Sequence, residues 1–146
     1  MEIWGAYVTT PLRAGDTIEV DGYSRGLSDE IAIYDVSGLA SNRVDQTAGS
    51  EAYSQTQTTP TVTTTQAHEL LVGIHGQSHA GAPWWTPDGV SPAWTKGTDR
   101  FDGGNISEGL AVVMREVTAT GSYRASGHDP NSQTQNNLLV TYRAAS

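Results

Sequence analysis

Two adjacent tryptophans, Trp84 and Trp85, are the residues of this sequence best suited to recognise a ligand. They lie in a segment rich in glycine and proline, 76–105, and flat aromatic side chains displayed on such a loop can stack against sugar rings. Gln77 and Asp88 are close in sequence and carry amide and carboxylate groups that can bind sugar hydroxyls. These four residues form a candidate carbohydrate-binding site. The alternative is that the loop folds over the end of the domain and its tryptophans fill the core.

A second candidate site, for a metal ion, follows in the stretch DRFDGGNISEG. Its oxygen-bearing residues recur at intervals of three, as Asp99, Asp102, Asn105 and Glu108. Carboxylate and amide oxygens on a glycine-containing loop are ligands that calcium prefers. The spacing differs from the alternating pattern of an EF-hand loop. The alternative interpretation is therefore a solvated turn between two strands.

The remaining residues with catalytic or metal-binding side chains do not form a convincing active site. His75 and His79 are four residues apart, which suits zinc on a helix, but here they span a strand end and a glycine-rich loop. Exposed loop histidines are the expected alternative. Ser78, His79 and Asp88 have the residue types of a serine hydrolase, but the sequence lacks the strained G-x-S-x-G turn. We expect no catalytic residues and a protein that is not an enzyme.

Strands are the elements predicted to carry these residues. Apolar and β-branched residues alternate with polar ones in stretches bounded by Gly, Pro, Asn and Asp. The pattern predicts an all-β protein, an antiparallel β-sandwich of the jelly-roll or immunoglobulin-like kind, with about eight strands and no substantial helix. One domain spans 1–146, with a long loop at about 76–105. The strand segments are 3–10, 17–24, 31–39, 59–65, 70–76, 93–98, 107–118, 121–127 and 136–144.

Several finer expectations follow from the same pattern. The polar stretches 49–58 and 128–135 are expected to be loops, and a hairpin is expected at 119–121. Within 70–76 the side chains expected to point into the core are those of Leu70, Val72 and Ile74.

Composition excludes some classes of partner. The formal net charge is −8 and the pI is about 4.7, so phosphate backbones and anionic membrane surfaces would be repelled. We expect no nucleic-acid partner and no membrane partner. The absence of cysteine excludes disulfides and cysteine-based metal sites. The first ten residues lack a basic region and a long apolar run, so no signal peptide is predicted.

Strand-and-turn phrases distributed along the chain resemble a known module. These phrases are AYVTTPLRAGDTIEV, DVSGLASNRVDQTA, TTPTVTTTQAHELLVGI, AWTK, AVVMREVTATGSYRASG and NNLLVTYRA. In this order they resemble a β-sandwich module found in phage virion proteins and in some bacterial extracellular proteins. The resemblance covers about Ile3 to Ala144, and its motifs concern fold rather than activity. The tryptophan of AWTK, Trp94, stands where the module has a tryptophan next to a strand, so the resemblance implies that Trp94 lies in the core. It also implies synthesis in the cytoplasm of a bacterial host.

The resemblance implies a non-enzymatic virion protein of a bacteriophage: a capsid decoration, fibre or tail-associated sandwich that docks on other virion subunits or on copies of itself. The alternative function is a carbohydrate-binding module for host cell-surface glycans. No cofactor is implied, apart from calcium at the candidate site above. Relatives of this kind carry about two further strands before the segment that matches IWGAYV. We therefore expect either a neighbouring subunit to cover the first strand or a shorter sandwich that provides its own cover.

Overall fold

The structure is a computed structural model that describes residues 1–20, 30–77, 86–87, 94–101 and 109–145. In these residues the chain is all-β, with eight strands and no helix, as predicted. The described residues accordingly contain no helix that could cross a membrane. The strands are β1 (Leu39–Thr58), β2 (Val62–Thr63), β3 (His68–Gln77), β4 (Thr86–Pro87), β5 (Thr95–Phe101), β6 (Gly109–Thr118), β7 (Ser122–Tyr123) and β8 (Ser126–Ala144).

Six strands form one strongly curled antiparallel sheet, a half-barrel, in the order β1-β8-β3-β6-β5, with β4 paired to β8. The curl follows the long ribbon of β1 and β8, whose register shifts between Ser54 and Thr56. Beyond this irregularity Thr56 pairs with His128, whereas Ser54 pairs with Gln133. A bulge of this kind bends a strand and increases its twist. The short strands β2 and β7 pair with each other in a separate two-stranded sheet.

Each face of the curled sheet carries an apolar cluster. One face, here called the inner face, carries Leu71, Val113 and Leu139, and Val62 and Ala125 pack against it. The opposite face, here called the outer face, is built around three valines, Val72, Val112 and Val140. Trp94 belongs to the inner cluster and is 5% exposed, as expected for a core residue.

The central strands agree with the sequence-based prediction. The segments 70–76 and 136–144 lie within β3 and β8, and β6 covers 109–118 of the predicted segment 107–118, whose first two residues are outside the described residues. Strand β5 begins two residues after the predicted start at Ala93. The residues expected in the core of β3 share one apolar cluster, in which Val72 is buried while Leu70 and Ile74 are half-buried. The more deeply buried side of the strand is the other one, where Leu71 is fully buried. Both faces of β3 are covered, so alternation could not identify the more buried one.

The polar stretches 49–58 and 128–135 are strands rather than loops, because they form the ladder between β1 and β8. Their Thr, Ser and Gln side chains suit a pleated surface at the edge of a sheet. The hairpin at 119–121 is also wrong in its pairing, since β7 pairs with β2 and not with β6. The segments 3–10 and 31–37 contain no strand. The all-β antiparallel prediction is confirmed, whereas the sandwich stays a prediction.

Candidate functional site

The most exposed apolar part of the described chain is its N-terminal arm, defined here as residues 1–20 and 30–37. No residue of the arm belongs to a strand, although β-branched residues and alternation are typical of one. Thirteen large hydrophobic side chains are exposed in the described residues, and eleven of them lie in the arm. They are Met1, Trp4, Tyr7, Val8, Leu12, Ile18, Val20, Ile31, Ile33, Tyr34 and Val36.

The arm has a side that contacts the sheet and a side that faces outward. Ile3 and Ala32 pack against the outer-face cluster of the sheet. Their neighbours in sequence are exposed: Trp4 is 87% exposed and Ile33 is 56% exposed. Within the arm only Ile3, Glu30 and Ala32 are half-buried, and every other residue is exposed. The arm therefore presents an apolar surface that the rest of the described chain leaves uncovered.

One side-chain contact ties the start of the arm to β1. The Arg43 guanidinium donates a hydrogen bond from Nη2 to the Gly5 carbonyl oxygen at 2.5 Å. An open cleft of about 440 Å³ lies beside this contact, and its lining includes Ile3, Thr47 and Leu138. The cleft lies between the arm and the sheet, since its walls come from the arm on one side and from β1 and β8 on the other.

A cluster of charged and hydroxyl side chains lies near the start of β1. The Asp45 carboxylate accepts hydrogen bonds from the Thr65 backbone N–H at 2.7 Å and from the Thr65 hydroxyl. Arg143 on β8 pairs with the same carboxylate, and the Asp45 side chain is fully buried. Glu69, directly opposite Arg143 in the ladder of β3 and β8, is 2% exposed. Two carboxyl groups and one guanidinium therefore share a site that is largely closed to water.

The two carboxyl groups of this cluster shift in opposite directions. Burial raises the pKa of Glu69, and the neighbouring Asp45 carboxylate raises it further, against the Thr141 hydroxyl and the Gln66 backbone. Burial alone would also raise the pKa of Asp45, but hydrogen bonds from Thr65 and Glu69, together with the Arg143 charge, lower it. Of the two carboxyl groups, Glu69 therefore binds a proton more tightly than Asp45 does.

A second buried polar group lies farther along β3 and β8. His75 is fully buried, and its Nδ1 lies 2.7 Å from the Asn137 Oδ1 atom. Gln135 continues the chain of contacts, since it accepts from the Asn137 amide at 3.4 Å and donates to the Ser54 carbonyl. The expectation that His75 is an exposed loop residue is wrong, because it faces the closed interior of the curled sheet.

The described residues contain no group of three or more His, Cys, Asp or Glu side chains that could hold a metal ion.

The sequence-predicted carbohydrate residues fall mostly outside the described part of the chain. Trp84, Trp85 and Asp88 lie beyond it. Gln77 is described: it ends β3, is 6% exposed, and its Oε1 accepts a hydrogen bond from Gln57. The carbohydrate site stays a prediction.

The residues of the predicted calcium site also lie mostly outside the described part of the chain. Asp99 lies in β5 opposite Ala111, while Asp102, Asn105 and Glu108 are outside the described residues. The calcium site stays a prediction. His79, the partner of His75 in the zinc pattern, is outside the described residues as well.

Sequence reasoning missed both features that the structure makes prominent. Asp45 and Arg143 are 98 residues apart, and no spacing pattern relates them before the register of β1 and β8 is known. The arm carried a signal, namely the alternation of Ile18 with Val20 and of Ile31 with Ile33, which predicted strands. The same alternation is consistent with strands that have no partner in their own chain.

Comparison with known proteins adds no further assignment. The chain matches no family model, no curated protein and no solved structure. The geometry of the arm and of the acid cluster therefore carries the functional argument.

Proposed function

We propose that this protein is a non-enzymatic docking module of a larger assembly, and that its N-terminal arm is the docking element. The setting implied by the sequence resemblance is a bacteriophage virion, in which the module decorates the capsid, a fibre or the tail. The observation that carries the proposal is the concentration of exposed apolar side chains in the arm. Large exposed apolar patches on soluble proteins mark interaction sites.

The backbone of the arm supports the same conclusion. Extended segments that lack a ladder leave N–H and C=O groups free to pair with a strand of another chain. Addition of a strand to the edge of a partner sheet would use these groups for affinity and the outward side chains for specificity. The arm offers alternating side chains of the required kind, such as Ile31 and Ile33.

Charge favours a partner other than a second copy of this chain. The described arm contains five acidic residues and one basic residue, Arg13, and the whole chain carries a net charge of −8. Two such arms brought together would repel each other, whereas a basic rim on a different subunit would attract them. The partner that fits is thus a different subunit with an apolar docking surface bordered by Lys or Arg.

Site-specific photocrosslinking in the assembly tests this proposal. A benzophenone amino acid is placed at Ile33 in the arm and, as a control, at Glu116, which is exposed on β6. We expect one adduct of defined mass from position 33, none from position 116, and a lower yield as salt increases. Equal crosslinking from both positions, or an adduct only between copies of this chain, would contradict the proposal.

We also propose that the curled sheet closes as a β-sandwich. The second layer would consist of the β2–β7 ribbon together with the far ends of β1 and β8 and the β4 strand. The packing of Val62 and Ala125 against Leu71 on the inner face supports this arrangement. The closeness of Ala125 to Gly73 provides the means of testing it, as developed below.

A further inference from the structure

The acid cluster lies where the arm joins the sheet. Arg143, besides pairing with Asp45, donates hydrogen bonds from Nη1 to the carbonyl oxygens of Asn42 at 3.3 Å and of Val44 at 2.7 Å. These carbonyls belong to the irregular start of β1, where the register shifts twice between Leu39 and Gln46. Bulged backbone has fewer ladder bonds to hold it. The guanidinium therefore supplies contacts that the ladder lacks there.

The arm itself is tied to this same short stretch. Arg43, between the two carbonyls that Arg143 binds, is the residue that contacts the Gly5 carbonyl of the arm. A change in the backbone at 42–44 would move the Arg43 side chain and with it the start of the arm. We propose that Asp45, Glu69 and Arg143 form a proton-controlled clasp that fixes the base of the arm and so regulates the presentation of its docking surface.

The chemistry of the clasp follows from the charges that face it. With Glu69 protonated, the site holds one carboxylate and one guanidinium, and the two buried Glu69 oxygens, which have no hydrogen-bond partner among the described residues, carry no charge. Loss of that proton to solvent leaves two carboxylates against one guanidinium. Because Glu69 is 2% exposed, water cannot screen the repulsion. Arg143 must then be shared between two anions, which weakens its hold on the β1 carbonyls.

No other described charge replaces the lost proton. On β6 the residue opposite Glu69 is Val117, and Arg115 lies one pair farther along the same face. The Arg115 guanidinium stands over the Tyr123 ring, 5.3 Å from its centroid. The turn before β3 contributes Thr65 and Gln66, which are uncharged. The proton on Glu69 is therefore the variable that decides the charge balance of the clasp.

The direction of the pH effect follows from the two shifts. The pKa of Glu69 is raised above 4.5, so the folded chain binds this proton more tightly than the unfolded chain does. The clasp is therefore strongest below that raised pKa, and it loosens as the pH rises through it. The pKa of Asp45 is lowered below 3.8, so its own contribution is lost only in stronger acid. The clasp is therefore closed at pH values between the lowered pKa of Asp45 and the raised pKa of Glu69.

Measurements on the isolated full chain test the clasp. Carboxyl carbon NMR reports the titration of Glu69, and hydrogen exchange of the Thr65 amide, corrected for the intrinsic rate, reports its bond to Asp45. Because the chain contains no cysteine, spin labels at Thr10→Cys and Thr118→Cys report the distance between the arm and the sheet. The comparison variants are Glu69→Gln, which retains a neutral donor, and Glu116→Gln, an exposed control on β6.

We expect the wild type to show a Glu69 titration above pH 4.5, with the Thr65 protection falling about tenfold for each unit of pKa shift. The distribution of label distances should broaden over the same pH interval. Glu69→Gln should remove both changes, and Glu116→Gln should behave as wild type. A normal Glu69 titration, or constant Thr65 protection and label distance through it, would overturn the proposal. So would an unchanged response in Glu69→Gln.

The effect of the clasp on docking rests on the proposed function. The pH response of the clasp itself does not depend on that function. If the clasp responds to pH while position 33 gives no adduct, the regulation exists and the docking role fails. If position 33 gives its adduct while the arm is insensitive to pH, the docking role stands and the clasp fails.

Discussion

A single methyl group added at Gly73 tests whether two layers of the protein meet at the inner face. A Cβ built at this position would lie 2.7 Å from the Ala125 Cβ and 3.0 Å from a Val113 methyl carbon. Carbon atoms in contact normally stand about 3.5 Å apart or more, so Gly73→Ala creates overlaps of about 0.8 Å and 0.5 Å. The Ala125 methyl cannot rotate away, because it is attached directly to the backbone, and the β-branched Val113 has little rotamer freedom.

The magnitude follows from two opposing effects. Overpacking of this size in a closed core costs about 1–3 kcal/mol. Replacement of glycine by alanine restricts the unfolded chain and returns about 0.4–1 kcal/mol. We therefore expect Gly73→Ala to lower the free energy of unfolding by about 1–2 kcal/mol, with an unchanged denaturant slope.

Urea unfolding followed by circular dichroism measures this change, and β3 offers a matched control. Gly76 lies on the same strand, but its added Cβ would meet only the movable Met1 side chain and one backbone oxygen 3.9 Å away. Gly76→Ala should change stability by less than about 0.5 kcal/mol. Ala125→Gly in the Gly73→Ala background should restore part of the loss, which a double-mutant cycle isolates. Equal stabilities of Gly73→Ala and Gly76→Ala would refute the close approach of the two layers.

Three further predictions concern the core and the polar clusters. Trp94→Ala should lower the free energy of unfolding by about 3–5 kcal/mol, because it empties a buried site. Trp94→Phe should cost less, since the indole N–H has no hydrogen-bond partner among the described residues, and urea titration distinguishes the two. Asp45→Asn should lower the free energy of unfolding near neutral pH by about 1–2 kcal/mol, a value kept small because the Arg143 side chain is 26% exposed. Because the pKa of Asp45 is lowered, wild type should lose stability below pH 3.8 in an acid titration, and the variant should lose less. Asn137→Leu should cost about 1–3 kcal/mol, because it removes a partner of the fully buried His75, and a shifted His75 imidazole NMR signal would accompany the loss.

The sequence predicted the centre of the sheet better than its edges. Apolar runs such as LLVGI and AVVM identified β3 and β6, because strands buried on both faces must be apolar. The polar strand β1 was expected in part to be a loop, because Thr, Ser and Gln carry no periodic apolar signal at an edge. Its partner in the first half of β8 was missed for the same reason. Local composition does not encode which distant polar stretch will supply the ladder.

The candidate sites also differ in how far the sequence could predict them. The buried position of Trp94 was predicted through the resemblance, which has a tryptophan next to a strand at this place. The cluster of Asp45, Glu69 and Arg143 could not, since it requires β1, β3 and β8 to be adjacent in a known register. The arm was visible in the sequence as alternating residues, but only tertiary structure reveals whether such a segment finds a partner within its own chain.

Hydrogen exchange of the arm, compared between the isolated chain and the chain within its assembly, tests the central claim most directly. The account predicts rapid exchange of residues 1–20 and 30–37 in the isolated chain and strong protection of the same residues in the assembly, with β3 protected equally in both. An arm that exchanges as rapidly in the assembly as in isolation, with new protection confined to other surfaces, would contradict the account.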